Sequence, residues 1–98
     1  MASLSREYRR PMTAVRDAVQ AALVRLEFRV AARDHASFTA HTAATIFSWG
    51  EELSVRLEQN AASVRVTVSS EARAQIFDWG KSTENIQRVF VELDKALK

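Results

Sequence analysis

Two histidines, His35 and His41, are the only imidazoles in the chain, and cysteine is absent. Thiolate metal sites, disulfides and a cysteine nucleophile are excluded together. A histidine metal site would need further ligands such as Asp34, but the spacing makes no cluster, so two solvated histidines and no bound metal are expected. General acid–base chemistry requires carboxylates in an enclosed, desolvating pocket. An enzyme would have to use Asp78, beside Trp79, together with Glu51. Because the inward positions are nearly all apolar, capping or loop-bracing is the expected role of Asp78. No catalytic residue is assigned. Gly50 and Gly80 are isolated and cannot form a phosphate-cradling loop. Nucleophile elbow, zincin helix and EF-hand loop are all missing, and no cofactor is expected.

A second group of side chains could do recognition chemistry. Arg29, Arg33, Arg56, Arg65 and His41 all take the outward positions of their own strands, interleaved with Thr39, Ser54, Thr67, Glu52 and Glu58. One reading is a solvated face with cross-strand charge pairs. The sharper reading is an arginine-lined surface for an acidic partner, a membrane headgroup or nucleic acid. Nucleic acid is disfavoured, because single-strand binders add stacking aromatics and minor-groove binders add apolar wedges, and neither is expected on this face. The formal charge is only +2, far from the dense basic stripe of a phosphate-backbone binder.

The elements that must position these groups follow from periodicity. Leu4 and Tyr8 share a parity with Arg6 between them, a weak strand that Pro11 ends. Met12, Val15, Val19, Ala22, Leu23 and Leu26 form one helical stripe, expected to end near Glu27, where a glycine cap would be usual. Phe28, Val30 and Ala32 then alternate with Arg29, Ala31 and Arg33. Asp34-His35-Ala36-Ser37 predicts a hairpin turn. Phe38, Ala40 and Thr42 continue as a strand, and a bulge or loop follows to Ser48. Leu53, Val55 and Leu57 point inward over Glu52–Gln59, Asn60-Ala61-Ala62 turns the chain, and Val64, Val66 and Val68 make the clearest strand. Glu71–Lys81 is read as a connection. Ser82 is the expected N-cap of a last helix with the stripe Ile86, Val89, Phe90, Leu93 and Leu97.

The predicted fold is therefore α+β, in the order β-α-β-β-β-β-α. It is a single antiparallel sheet with both helices packed on one face and the first strand beside the last of the meander. With 98 residues, 47% of them apolar, the whole chain (1–98) is expected to form one domain. No apolar run suits a signal peptide or a membrane span, so a cytoplasmic location is expected.

Ile46-Phe47-Ser48-Trp49-Gly50-Glu51 recurs as Ile76-Phe77-Asp78-Trp79-Gly80-Lys81. Both tryptophans and both glycines of the chain lie in these copies. Each Trp can pack over one end of the core, each Gly can take a positive φ, and Glu51 and Lys81 can pair. Alternatively, Trp49, Gly50, Glu51, Asp78, Trp79, Gly80 and Lys81 present a recognition patch from paired loops.

Ser48-Trp49-Gly50-Glu51, a strand pair, then Asp78-Trp79-Gly80-Lys81-Ser82 and Asn85 resembles a small bacterial domain family without an assigned activity, over most of the chain from Val15. Glu27 departs from that family, which tends to have Gly there. The element order also resembles the TBP-like or short helix-grip topology. The expected function is a non-catalytic binding or interaction module whose partner is a protein, a second copy included. The alternative is a small apolar-ligand binder with a pocket between the sheet and the last helix, lined by Phe28, Phe38, Phe77, Phe90 and the tryptophans.

Overall fold

The computed structural model describes residues 2–41, 51–72 and 79–97. In chain order these form β1 (Ala2–Tyr8), α1 (Met12–Arg25), β2 (Arg29–Asp34), β3 (Ser37–His41), β4 (Glu51–Gln59), β5 (Val64–Ala72) and α2 (Trp79–Leu97). The strands make one antiparallel sheet in the order β1-β5-β4-β3-β2. The first strand does return beside the last, leaving β1 and β2 as the two edges.

Both helices lie on the same face. Val15, Val19, Ala22 and Leu23 of α1 and Ile86, Val89, Phe90 and Leu93 of α2 join Phe38, Ala40, Leu53, Val55, Leu57, Val64, Val66 and Val68 in one buried cluster. The central valines are fully buried, as their parity predicts. Each such side chain contributes about 1.5–3 kcal/mol relative to exposure, before the entropy of ordering it is subtracted.

Local chemistry explains the boundaries. Pro11 stands just before α1 with extended backbone, and its carbonyl accepts the first helical bond from the Val15 amide at 3.0 Å. At the other end Glu27 takes φ 64°, the left-handed region. Its N–H donates to the Val24 carbonyl at 2.9 Å and the Phe28 N–H donates to the Leu23 carbonyl at 3.0 Å, which closes a Schellman cap. The helix therefore ends where the change of period predicts, but on a glutamate in a conformation that favours glycine. The β2–β3 turn is the one expected: Asp34 Oδ1 accepts from the Ala36 amide at 2.7 Å and from the Ser37 hydroxyl at 3.2 Å.

Three expectations are corrected. β5 runs to Ala72, because ladder partners on both sides, Ala2 opposite Ser70 and Glu51 opposite Ala72, extend it past the valines. α2 begins at Trp79, so Ser82 lies inside the helix and is not its N-cap. One interior glycine costs about 1 kcal/mol, too little to keep Gly80 out of a helix this long. Ala32 keeps its inward register opposite Phe38 yet is exposed, on an edge strand bulged between Ala32 and Asp34. The bulge or loop expected over Thr42–Ser48 lies outside the described residues.

Candidate functional site

The expected recognition loops are only partly described. Trp49, Gly50 and Asp78 lie outside the described residues, as do Phe47 and Phe77. Glu51 is the first residue of β4, and Trp79, Gly80 and Lys81 form the first turn of α2, so these four belong to regular elements and not to loops. Gly80 carries helical backbone, which removes the positive φ proposed for it. Glu51 stands opposite Ala72 in the β4–β5 ladder. The first copy therefore leads into the same end of the sheet from which the chain departs toward the second.

The outer sheet face is described across all five strands. Register assembles it in rows. Ser3, Ser69, Ser54, Thr39 and Ala31 cross the sheet side by side; Ser5, Thr67, Arg56 and Ser37 lie in the next row. Ser5 Oγ and Thr67 Oγ1 are 2.9 Å apart, and the Ser69 hydroxyl donates to Ser3 Oγ at 3.3 Å. Charges occupy the rows beyond. Glu7, Arg65 and Glu58 alternate in sign at one end, and Glu52, His41 and Arg29 follow one another at the other.

The four arginines of this face are all exposed, but they are not equivalent. Arg65 lies 3.8 Å from the Glu7 carboxylate. That carboxylate also accepts from the Ser63 hydroxyl at 2.7 Å and the Asn60 amide at 3.4 Å. Those two bonds, and then the nearby guanidinium, hold Glu7 below the usual carboxylate range. His41 lies 3.6 Å from Glu52. By contrast, Arg29, Arg33 and Arg56 have no carboxylate partner among the described residues. Arg33 donates from Nε to Thr39 Oγ1 at 2.8 Å, and Thr39 is only 5% exposed. Thr39 thus points outward as expected but is buried beside that guanidinium and anchors it. Nothing in the sequence pattern distinguished Thr39 from the other outward hydroxyls.

The inner side carries polar groups that periodicity did not single out. Asp94 accepts from the Tyr8 hydroxyl at 2.8 Å and also pairs with Arg6, whose guanidinium sits 5.1 Å above the Phe90 ring. Burial, then the bond to Asp94, push the Tyr8 phenol well above its ordinary value. Arg10 Nε donates to the Leu97 carbonyl at 3.1 Å, near the negative end of α2. Across the helices, Arg25 reaches Glu92 at 3.1 Å. Among the described residues two buried atoms have no hydrogen-bond partner: Ser70 Oγ and Arg16 Nε, the latter on a guanidinium 5.6 Å from the Phe38 ring. Among the same residues no group of three or more His, Cys, Asp or Glu could hold a metal ion. No described helix is long and apolar enough to cross a membrane.

No family model matches the chain, and no curated protein matches it. Among solved structures it is similar to the crystal structure of TTHA0849 from Thermus thermophilus, at 16% identity and a TM-score of 0.52. The superposition covers 98% of this chain and 95% of that one. A likeness at this identity concerns the fold alone.

Proposed function

We propose that the chain is a non-catalytic binding module that takes an extended acidic segment of a partner protein along β2. The observation that carries this reading is the state of Arg29 and Arg33: both are exposed on an edge strand, with no carboxylate partner among the described residues. A strand added beside β2 would meet Arg29, Ala31 and Arg33 on the outer face. The two residues stand four positions apart, about 13 Å along a regular strand, with the Arg33 guanidinium leaning back toward Thr39, opposite Ala31. Acidic side chains at matching alternate positions would pair with them, and Ala31 leaves room for a larger residue between. Charged edges also discourage indiscriminate strand pairing, so the same arginines select against neutral and basic segments. Arg56, next to Ser37, extends the basic area onto the face.

The test uses a fluorescein-labelled peptide of alternating glutamate and threonine, followed by anisotropy at low salt and at ~0.5 M salt. Binding at low salt is expected, weakened about tenfold or more by Arg29→Glu with Arg33→Glu. A lysine–threonine peptide should not bind. Equal affinity of wild type and variant, or tighter binding of a single-stranded oligonucleotide, would overturn the reading.

A second reading is favoured by the unpartnered buried Arg16 Nε. In a helix-grip-like arrangement, Arg16 Nε, beside Phe38, would receive the polar head of a small amphipathic ligand held between sheet and helices. Among the described residues Phe38 and Phe90 already fill that space. A thermal shift with a medium-chain carboxylic acid, lost in Arg16→Leu, would favour it over the edge-strand reading.

A further inference from the structure

The solvent side of α1 presents an exposed face formed by Asp17, Gln20, Ala21, Val24 and Arg25. At 3.6 residues per turn these five share one side of the helix, opposite the buried Val15, Val19, Ala22 and Leu23. Val24 is 60% exposed, the most exposed of the large apolar side chains among the described residues. The charges on this side are ordered: Asp17 at one end, Arg25 at the other, and the small Ala21 midway.

We infer that this side of α1 is a two-fold interface that takes a second copy of the same chain. A two-fold contact places one surface against itself with its direction reversed. Set antiparallel about Ala21, two α1 helices bring each Asp17 level with the partner's Arg25, because both residues stand four positions, about 6 Å of helical rise, from the axis. The same helix in a parallel arrangement would oppose like charges. Alanine at the crossing lets the axes approach to about 8 Å, where Val24 can seat beside the partner's Ala21. Arg25 is already oriented toward the helical layer by its 3.1 Å contact with Glu92, and its side chain remains 64% exposed and able to bridge a second carboxylate. This surface is on the helical layer and does not depend on the peptide-binding reading.

The experiment is sedimentation equilibrium over a concentration series at low salt, with circular dichroism confirming the fold of each variant. Wild type is expected to dimerise, with the association weakened as salt is raised. Asp17→Arg should weaken it at least tenfold, because arginine then faces arginine. Asp17→Arg combined with Arg25→Asp should restore it by reversing both charges. A wild type that stays monomeric throughout, a dimer indifferent to Asp17→Arg, or a double variant that fails to recover would each overturn the inference.

Discussion

β1 and β2 are the two edges of one sheet, and the protein treats them in opposite ways. β1 is fastened to α2 by Tyr8 and Arg6 on Asp94, with Arg10 just beyond the strand bonding the Leu97 carbonyl. β2 has only Val30 half-buried, carries a bulge, and presents Arg29 and Arg33 without carboxylate partners among the described residues. An edge strand needs some device to stop unwanted pairing. At β1 the device is attachment to a helix; at β2 it is charge.

The contrast can be broken at its centre. Val66 lies on β5, between the edges, and is fully buried. Val66→Asp would bury a charge without a partner, at a cost of several kcal/mol, enough to unfold a domain of this size. Circular dichroism should show a chain that does not melt cooperatively. A soluble variant of unchanged thermal stability would overturn the placement of β5.

Next in size is Asp94→Ala, which leaves the half-buried Tyr8 hydroxyl without its acceptor and Arg6 without its partner. A loss of about 1–3 kcal/mol is expected by denaturant titration, with faster amide exchange concentrated in β1. Arg29→Ala at the other edge should change stability by no more than about 0.5 kcal/mol. Equal losses at the two positions would erase the distinction between the edges.

Glu27→Gly sharpens it from the β2 side. Glycine takes the left-handed conformation of the cap without the penalty paid by a residue with a Cβ, so a gain of about 1 kcal/mol is expected from thermal melts. A loss would mean that the Glu27 side chain contributes something its exposed position does not suggest.

The smallest effect is a pH dependence. Tyr8 is raised in the folded chain, so on raising the pH past about 10 the unfolded chain loses this proton first. The unfolded state then binds fewer protons than the native one, and stability falls. Tyr8→Phe should flatten this alkaline decline in urea titrations, whereas Arg33→Ala should leave it unchanged.

Much of the fold was legible because alternation is a strong signal wherever one face is buried and the other wet. Val64, Val66 and Val68 followed from it, the two helical stripes from the 3.6-residue period, the turn at Asp34 from its turn residues, and the return of β1 beside β5 from the economy of packing one sheet under two helices. Boundaries set by neighbours were not legible. Ser69-Ser70-Glu71-Ala72 has little intrinsic strand preference and is a strand because β1 and β4 pair with it. Gly80 suggested a loop, but it is carried along by the helix that follows. Arg29, Arg33, Arg56 and Arg65 could be placed on one face by parity. Which of them have carboxylate partners could not, since that depends on where Glu7 comes to rest from a strand more than 50 residues away in sequence.

The clasp between β1 and α2 also bears on how the chain is made. Synthesis delivers β1 first, while Asp94 and Leu97 emerge only with the last helix. Until then β1 can join the sheet through its ladder with β5, but the side-chain clasp that ties it to the helical layer is missing. Truncation just before Asp94 would remove that clasp for good, so in a shortened chain amide exchange should quicken in β1 first.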